Sequence, residues 1–374
     1  MAGVIYLDHA AATPVDPRVL KAMQPFFSER FFNASATYLP AFKVRDALNE
    51  ARAGVAHWLG AKPNEIIFTA GGTEANNLAI QGVMRQFPDG NILVSAFEHE
   101  SVLEPAGQYD RRVIKVLADG RLDLEDLRSK IDDKTVLVSV MYANNEIGTI
   151  QPLREVARII ADKRRNRKLP LYFHTDAAQA GNYLDLHVSR LGVDMMTING
   201  GKIYGPKQSG ALFVKTGVKL EPLVYGGGQE RGLRSGTENI AGAVGLAAAL
   251  NLVQTDRQVE ATRLKQLQNQ FFKELESRLP AVVINGSRRF RLPNNLHLTL
   301  PGHDNERLLL ELEQAGILAA AGSACSASNE LPSHVLKSLG LDDATARASL
   351  RLTMGRQTTP VMVRQTVKAL QELA

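Results

Sequence analysis

Two stretches decide the fold: LYFHTDAAQA at residues 171–180 and MMTINGGKIYGPKQSGALFVK at residues 195–215. Each opens on an apolar run and breaks into small and polar residues. Leu171–Thr175 and Asp194–Ile198 lack the polar alternation of a strand with one wet face, so they read as strands covered on both faces. Asp176 stands at the end of the first, and Lys202 just past the end of the second. One strand-crossover-strand unit separates them, which brings both residues to the same edge of a sheet. In open α/β sheets that edge is where ligands bind.

The same pattern extends outward. Glu65–Thr69, Asn91–Ser95, Thr135–Tyr142 and Gly210–Lys215 are further apolar runs, and helix-length stretches such as Thr73–Gln86 and Leu153–Arg165 lie between them. This alternation predicts an α/β fold, a mostly parallel central sheet with helices on both faces. A long helical stretch, Asn239 to Arg278, follows. Beyond it Val282–Asn285, Leu296–Leu300 and Ser349–Thr353 read as separate strands among helices such as Glu306–Gln314 and Pro360–Leu373. The expected division is a large domain over residues 15–255 and a smaller α+β domain formed by residues 1–14 and 256–374.

Composition sets the boundaries of function. With 44% hydrophobic and 22% charged residues, the 374-residue chain has the make-up of an ordinary globular protein. A net charge of +5 is a mild basic excess and does not call for direct nucleic-acid binding. The run KRRNRK at 163–168 reads either as a solvated helix C-terminus or as a site for RNA or an acidic carrier. The N-terminus has no basic start followed by an apolar stretch, so it is not a signal peptide. Ile240 to Val253 falls short of the roughly 20 residues a membrane span needs. A single cysteine excludes an internal disulfide, and a cytoplasmic, reducing location is expected.

Three motifs carry chemistry. In FTAGGTEANNLAI (68–80) a strand ends, two glycines turn the chain and a helix opens; unpaired N–H groups at such a start form an anion site, typically for phosphate. The plainer alternative is a Gly-Gly turn with Thr73 as N-cap. Asp176 can keep a pyridine nitrogen protonated, or can simply cap a helix. Lys202 can form a Schiff base with an aldehyde cofactor, where a lone lysine is usually solvated. The three on one sheet edge are far more specific than any one alone.

This order resembles the fold-type-I pyridoxal-phosphate enzymes, and within them the class V aminotransferase group. YLDHAAATPVDPRV (6–19), FTAGGTEANNLAI (68–80), FEHESVL (97–103), ANNEIGTIQP (143–152), HTDAAQ (174–179), GKIYGPK (201–207), GGGQERGLRSGTEN (226–239), GSACSAS (322–328) and RLTMGR (351–356) are similar to cysteine desulfurases. GSACSASNELPSHVLKSLGL resembles their long-loop, NifS/IscS-type branch.

The resemblance implies a pyridoxal 5′-phosphate cofactor, no metal, and removal of sulfur from L-cysteine. Alanine is released and a persulfide left on Cys325 passes to a protein acceptor. It implies that Lys202 holds the cofactor covalently and moves protons, and that His99 stacks on the ring. Asp176 would pair with the ring nitrogen and Gln179 with the phenolic oxygen. Gly72, Thr73 and Asn199 would surround the phosphate, and Thr237 would reach the phosphate of a second subunit, which implies a homodimer. Asn145 and Arg351 would bind the substrate carboxylate, Asn145 also contacting the cofactor, and Asn33, in a loop that borders the site in relatives, would be a further substrate-binding residue. Cys325 in a Gly-Ser-rich loop suits a mobile thiolate nucleophile better than a packed core position. A strand-end histidine such as His99 is otherwise often just a partly exposed polar residue, and His174 is expected to be a hydrogen-bond partner behind Asp176. A selenocysteine or other carbon–sulfur lyase, or a scarcely catalytic docking partner, is the competing expectation.

The sequence also departs from the family. Gly201 replaces the histidine that usually precedes the lysine and touches the phosphate, so weaker cofactor retention is expected. FFNASATYLP (31–40) keeps Asn33 but lacks the usual proline and histidine. The C-terminal tail by which longer relatives engage an iron–sulfur scaffold has no counterpart, so a different acceptor, for instance one serving RNA or DNA thio-modification, is open.

Overall fold

The structure is a computed structural model, and it describes residues 3–165, 167–322 and 332–373. After a short N-terminal strand, β1 (Ile5–Tyr6), seven strands build the main sheet: β2 (Ile66–Thr69), β3 (Asn91–Ser95), β4 (Asp110–Ile114), β5 (Thr135–Ser139), β6 (Tyr172–Asp176), β7 (Met195–Asn199) and β8 (Gly210–Val214). Their spatial order is β2-β8-β7-β6-β5-β3-β4. Strand β8 runs antiparallel to both neighbours and every other pairing is parallel. The expected mostly parallel sheet is therefore present, with one reversed strand.

Successive residues of each central strand feed opposite layers, as the two-residue strand period requires. Leu93, Val138, Met196 and Phe213 join one core with Val55, Leu59, Leu246 and Leu250. Ile92, Leu137, Met195 and Leu212 join another with Leu78, Val83 and Val102. Both faces are thus covered by helices, which is why the strands lack polar alternation. Strand β4 escaped the sequence reading because DRRVI carries three charges. Among the described residues it is the sheet's edge, paired only with β3 and largely exposed, where charged side chains are tolerated.

The long helical stretch divides at Asp256 into helices Ile240–Thr255 and Arg257–Arg278. The first is rich in Ala and Gly and packs into the core against helix Leu39–Leu59, where a Cβ on Gly54 would stand 3.8 Å from Ala247. The second turns its Leu264, Phe271 and Leu275 into a separate core. That core holds strands β9 (Val283–Ile284), β10 (Asn295–Thr299), β11 (Ile317–Leu318) and β12 (Ser349–Thr353). The antiparallel order is β12-β10-β9, and β1 pairs with β11, so the first residues join this second body. Among the described residues no helix is long and apolar enough to cross a membrane.

The basic run at 163–168 is partly structural. Helix Leu153–Lys163 ends there, and Arg164 donates to the Leu171 carbonyl at 2.8 Å and pairs with buried Asp194. Arg167 donates to the carbonyls of Asp132 (2.7 Å) and Thr135 (2.5 Å). Both arginines clasp strand ends.

Candidate active site

Strand β2 stops at Thr69, and the chain turns into helix Gly72–Met84 through Gly71. Gly71 has φ 139° and ψ −177°, a conformation that side chains exclude. Gly210, opening β8, leans on it: a Cβ there would stand 2.7 Å from the Gly71 backbone. The N-cap is Gly71, with no side-chain cap, so Thr73 is inside the first turn and the plain N-cap alternative fails. The first-turn N–H groups are left to the cavity, as at any uncapped helix start. Glu74, the acid that would oppose an anion here, is turned back onto the Ala70 N–H (2.8 Å) and paired with Arg234 (2.9 Å).

Asn199 ends β7 and caps the next turn, accepting the Gly201 N–H at 3.1 Å. Its amide packs on Gly72, where a Cβ would come within 3.2 Å. Lys202 closes that turn. Asn182 donates to its carbonyl at 2.7 Å, and its ε-amino group donates to the Ala11 carbonyl at 2.6 Å. The Gln179 amide holds the neighbouring Ala10 carbonyl at 3.0 Å.

Asp176, at the end of β6, is 7% exposed. It accepts the Ala178 N–H at 2.8 Å and the Asn76 amide at 2.7 Å, which closes a local turn rather than capping a helix. His174, two residues earlier, is buried between Ser139 Oγ (2.9 Å) and Thr197 Oγ1 (3.1 Å). Burial pushes its imidazole down to about 4, so it stays neutral behind the site and bonds those hydroxyls rather than Asp176. His99 caps helix Glu100–Ala106, its Nδ1 accepting the Ser101 N–H at 3.0 Å. Arg351, in β12, is 1% exposed. It pairs with Asp8 at 2.7 Å and donates to the Asn145 carbonyl at 3.2 Å.

Gly72, Thr73, His99, Asn145, Asp176, Gln179, Asn199, Lys202 and Arg351 line one cavity of about 600 Å³, its open mouth included. The family described as aminotransferase class-V matches residues 5–358. This chain belongs to the class-V aminotransferases. It groups there with the cysteine desulfurases. The cysteine desulfurase IscS of Clostridium botulinum is 41% identical over 95% of this chain and 90% of that protein. A solved NifS-like protein superposes with a TM-score of 0.92 at 31% identity, covering 99% of both chains. A structure of SspA in complex with cysteine gives 0.82 at 33% identity, over 94% of this chain and 98% of that one.

Class-V aminotransferases depend in general on pyridoxal phosphate, and the donors of this member fit such a group. A bare helix start suits a phosphate, an ε-amino group an aldehyde, and a buried carboxylate a pyridine nitrogen. Two expected residues do not line the cavity. Asn33 lies in the segment after helix Pro25–Ser28, its side chain accepting the Ser35 N–H at 2.9 Å. Thr237 is exposed on the loop before helix Ile240–Thr255. Cys325 lies outside the described residues, but both flanks of its segment meet Glu146, the neighbour of Asn145. A Cβ on Gly322 would stand 3.4 Å from that carboxylate, and Ser333 donates to it at 2.6 Å.

Four side chains that the sequence reading passed over shape this class-V site: Asn76, Ser101, Asp8 and Glu98. Each lies inside a quoted motif, and a polar residue on an otherwise apolar helix face was the one available signal for Asn76. Glu98 sits directly before His99, fully buried, accepting the Met141 N–H at 2.7 Å and bonded to Ser95. Burial pushes its carboxyl up to about 8, so at neutral pH most of it holds a proton.

Proposed function

We propose that this chain is a pyridoxal-phosphate-dependent cysteine desulfurase acting through Cys325. The observation that carries the reading is the meeting of Lys202, Asp176 and the bare helix start in one cavity with a buried arginine. When bound, the cofactor supplies an electron sink for the substrate's α-carbon. Lys202 would hold it and then move protons at Nζ. Asp176 would pair with the ring nitrogen, His99 would stack on the ring, and Gln179 would reach the phenolic oxygen. Gly72, Thr73 and Asn199 would take the phosphate.

Arg351 and Asn145 orient the carboxylate of L-cysteine, a task suited to a guanidinium fork. The Cys325 thiolate attacks the substrate sulfur. An S–S bond forms as the substrate C–S bond breaks, the carbon takes a proton, and alanine leaves. Gly322, which precedes the Cys325 segment, lies against Glu146, the neighbour of the cavity-lining Asn145, and this supports the reading. The resulting persulfide passes to a protein acceptor.

The working unit in this reading is a homodimer. Phe27, Phe31 and Leu39 are 67%, 66% and 75% exposed, an apolar segment that a second copy of the chain would cover. The adjoining Ala34 and Ser35 share a hollow with Glu230 and Glu238, which flank the exposed Thr237. Thr237 then completes the partner's phosphate site.

Incubation of the cofactor-loaded protein with L-cysteine should yield alanine, and sulfide when a reductant is present. Cys325 should gain about 32 mass units, one sulfur atom. Cys325→Ser should lose sulfide production while keeping the visible absorbance of the bound cofactor. Unchanged sulfide from that variant would refute the persulfide route.

A further inference from the structure

Helix Gly72–Met84 does more than open at the phosphate turn. Its residue Asn76, fully buried, lies one helical turn on from Gly72 and Thr73, on the same face. Its buried neighbours along the helix are Ala75, Leu78, Ala79 and Ile80, an apolar setting in which a primary amide is costly unless bonded. Asn76 Nδ2 donates to Asp176 Oδ2 at 2.7 Å and to Ser101 Oγ at 2.8 Å. Both amide hydrogens are thereby committed. Ser101 Oγ, having accepted, must place its own proton, and His99 Nδ1 stands 2.9 Å away. The Ser101 main-chain N–H points at the same ring nitrogen from 3.0 Å.

The amide orientation is fixed by its neighbour. Reversed, Asn76 would set its oxygen against the Asp176 carboxylate, two acceptors face to face. In the orientation found, Asn76 Oδ1 has no hydrogen-bond partner among the described residues. The fold leaves a buried oxygen unsatisfied in order to keep both donors where they are. A residue needed only for packing would be better served by leucine.

We propose that Asn76 is a positioning residue that sets the direction of the hydrogen-bond chain Asp176–Asn76–Ser101–His99, so that His99 keeps Nδ1 as an acceptor and presents Nε2–H to the cavity. The chain holds the rotation of Asp176 and the tautomer of His99 together. The histidine then gives or takes a proton only at the nitrogen facing the reacting groups. Its consequence for turnover rests on the desulfurase reading above; the tautomer itself does not.

Protein labelled with ¹⁵N-histidine and free of cofactor gives the direct test, with the His99 resonances identified by their loss in His99→Gln. The wild type should show a bare, hydrogen-bonded Nδ1 and a protonated Nε2. Ser101→Thr should keep that signature, and Ser101→Ala should shift Nδ1 part of the way toward a free acceptor, because the hydroxyl bond is lost while the main-chain N–H remains. In the cofactor-loaded protein Ser101→Ala and Asn76→Leu should lower kcat about ten- to a hundredfold with KM within about twofold, and Ser101→Thr should restore it. A proton found on Nδ1 in the wild type overturns the proposal, and so do alanine and threonine variants that behave alike. If Asn76→Leu does not fold, the Ser101 pair decides. A wild type that makes no sulfide sinks the desulfurase reading, while the cofactor-free spectrum still decides this one.

Discussion

On one side of the cavity the shaping is done by main chain: Gly71 in a glycine-only conformation, Gly210 pressed against it, and the uncapped start of helix Gly72–Met84. On the other side it is done by side chains: Asp176, Asn76, His99 and Arg351, buried or nearly so and bonded to one another or to neighbours. The first side has one conspicuous vacancy of function, Gly201, where no side chain reaches toward the turn. The second has no slack. Main-chain amides bind any anion of the right size and lose little when one side chain is missing. Buried charges and directed hydrogen bonds fail when a single partner changes.

Four substitutions sharpen that contrast, from large effect to small. Lys202→Ala should abolish desulfuration and the visible absorbance change on cofactor addition, because no other described amine lines the cavity alongside Asp176. Arg351→Lys keeps the charge but loses the planar fork and its bonds to Asp8 and Asn145. Losing one such charged bond costs about 1.5–3 kcal/mol, roughly a ten- to hundredfold rise in KM for L-cysteine in steady-state kinetics.

Glu98→Gln tests the buried side through stability. The Glu98 carboxyl titrates near 8 in the folded protein against an ordinary 4.5, so the native state holds the extra proton between those values. Its contribution is fully present below pH 4.5 and is lost as pH rises toward 8. Melting temperatures of wild type should fall across that window, and glutamine should flatten the fall; an unaltered slope would mean this carboxyl is already ionised. Gly201→His probes the main-chain side and should do least. A Cβ at 201 meets nothing nearer than Asn199 Oδ1 at 3.5 Å, so the side chain enters without moving the backbone. Cofactor loss on dialysis should slow a few-fold, with kcat nearly unchanged.

Much of this molecule was readable in its letters, and the exceptions share a cause. Strands buried on both faces announce themselves as unbroken apolar runs, so β3, β5, β6, β7 and β8 and the Asp176–Lys202 edge followed from composition and spacing. Strand β4 did not, because an edge strand may be charged. The stretch 239–278 reads as one long helix because the segments on either side of Asp256 both have helical patterns, although the expected division of the chain falls at that point; in the structure the two helices join different cores. Thr73 looked like a cap because threonine caps well; the glycine that does the capping is favoured by a conformation, which spacing does not display. Asn76, Ser101 and Asp8 lay in view within recognised motifs. Their importance is a matter of which atoms meet across some 25, 100 or 343 positions of chain, and no local pattern records that.

Arg351 belongs to the small three-stranded sheet, whereas Asp176 ends a strand of the seven-stranded one and Lys202 stands in the turn that follows its neighbour β7. In the proposed reaction, an amino acid gripped by its carboxylate on one and handled at its α-carbon by the other would be a strut between two separately built cores. Its length would then be a gauge: a chain one methylene longer or a missing carboxylate would leave the strut loose, so the substrate would be measured by the fit between two foundations.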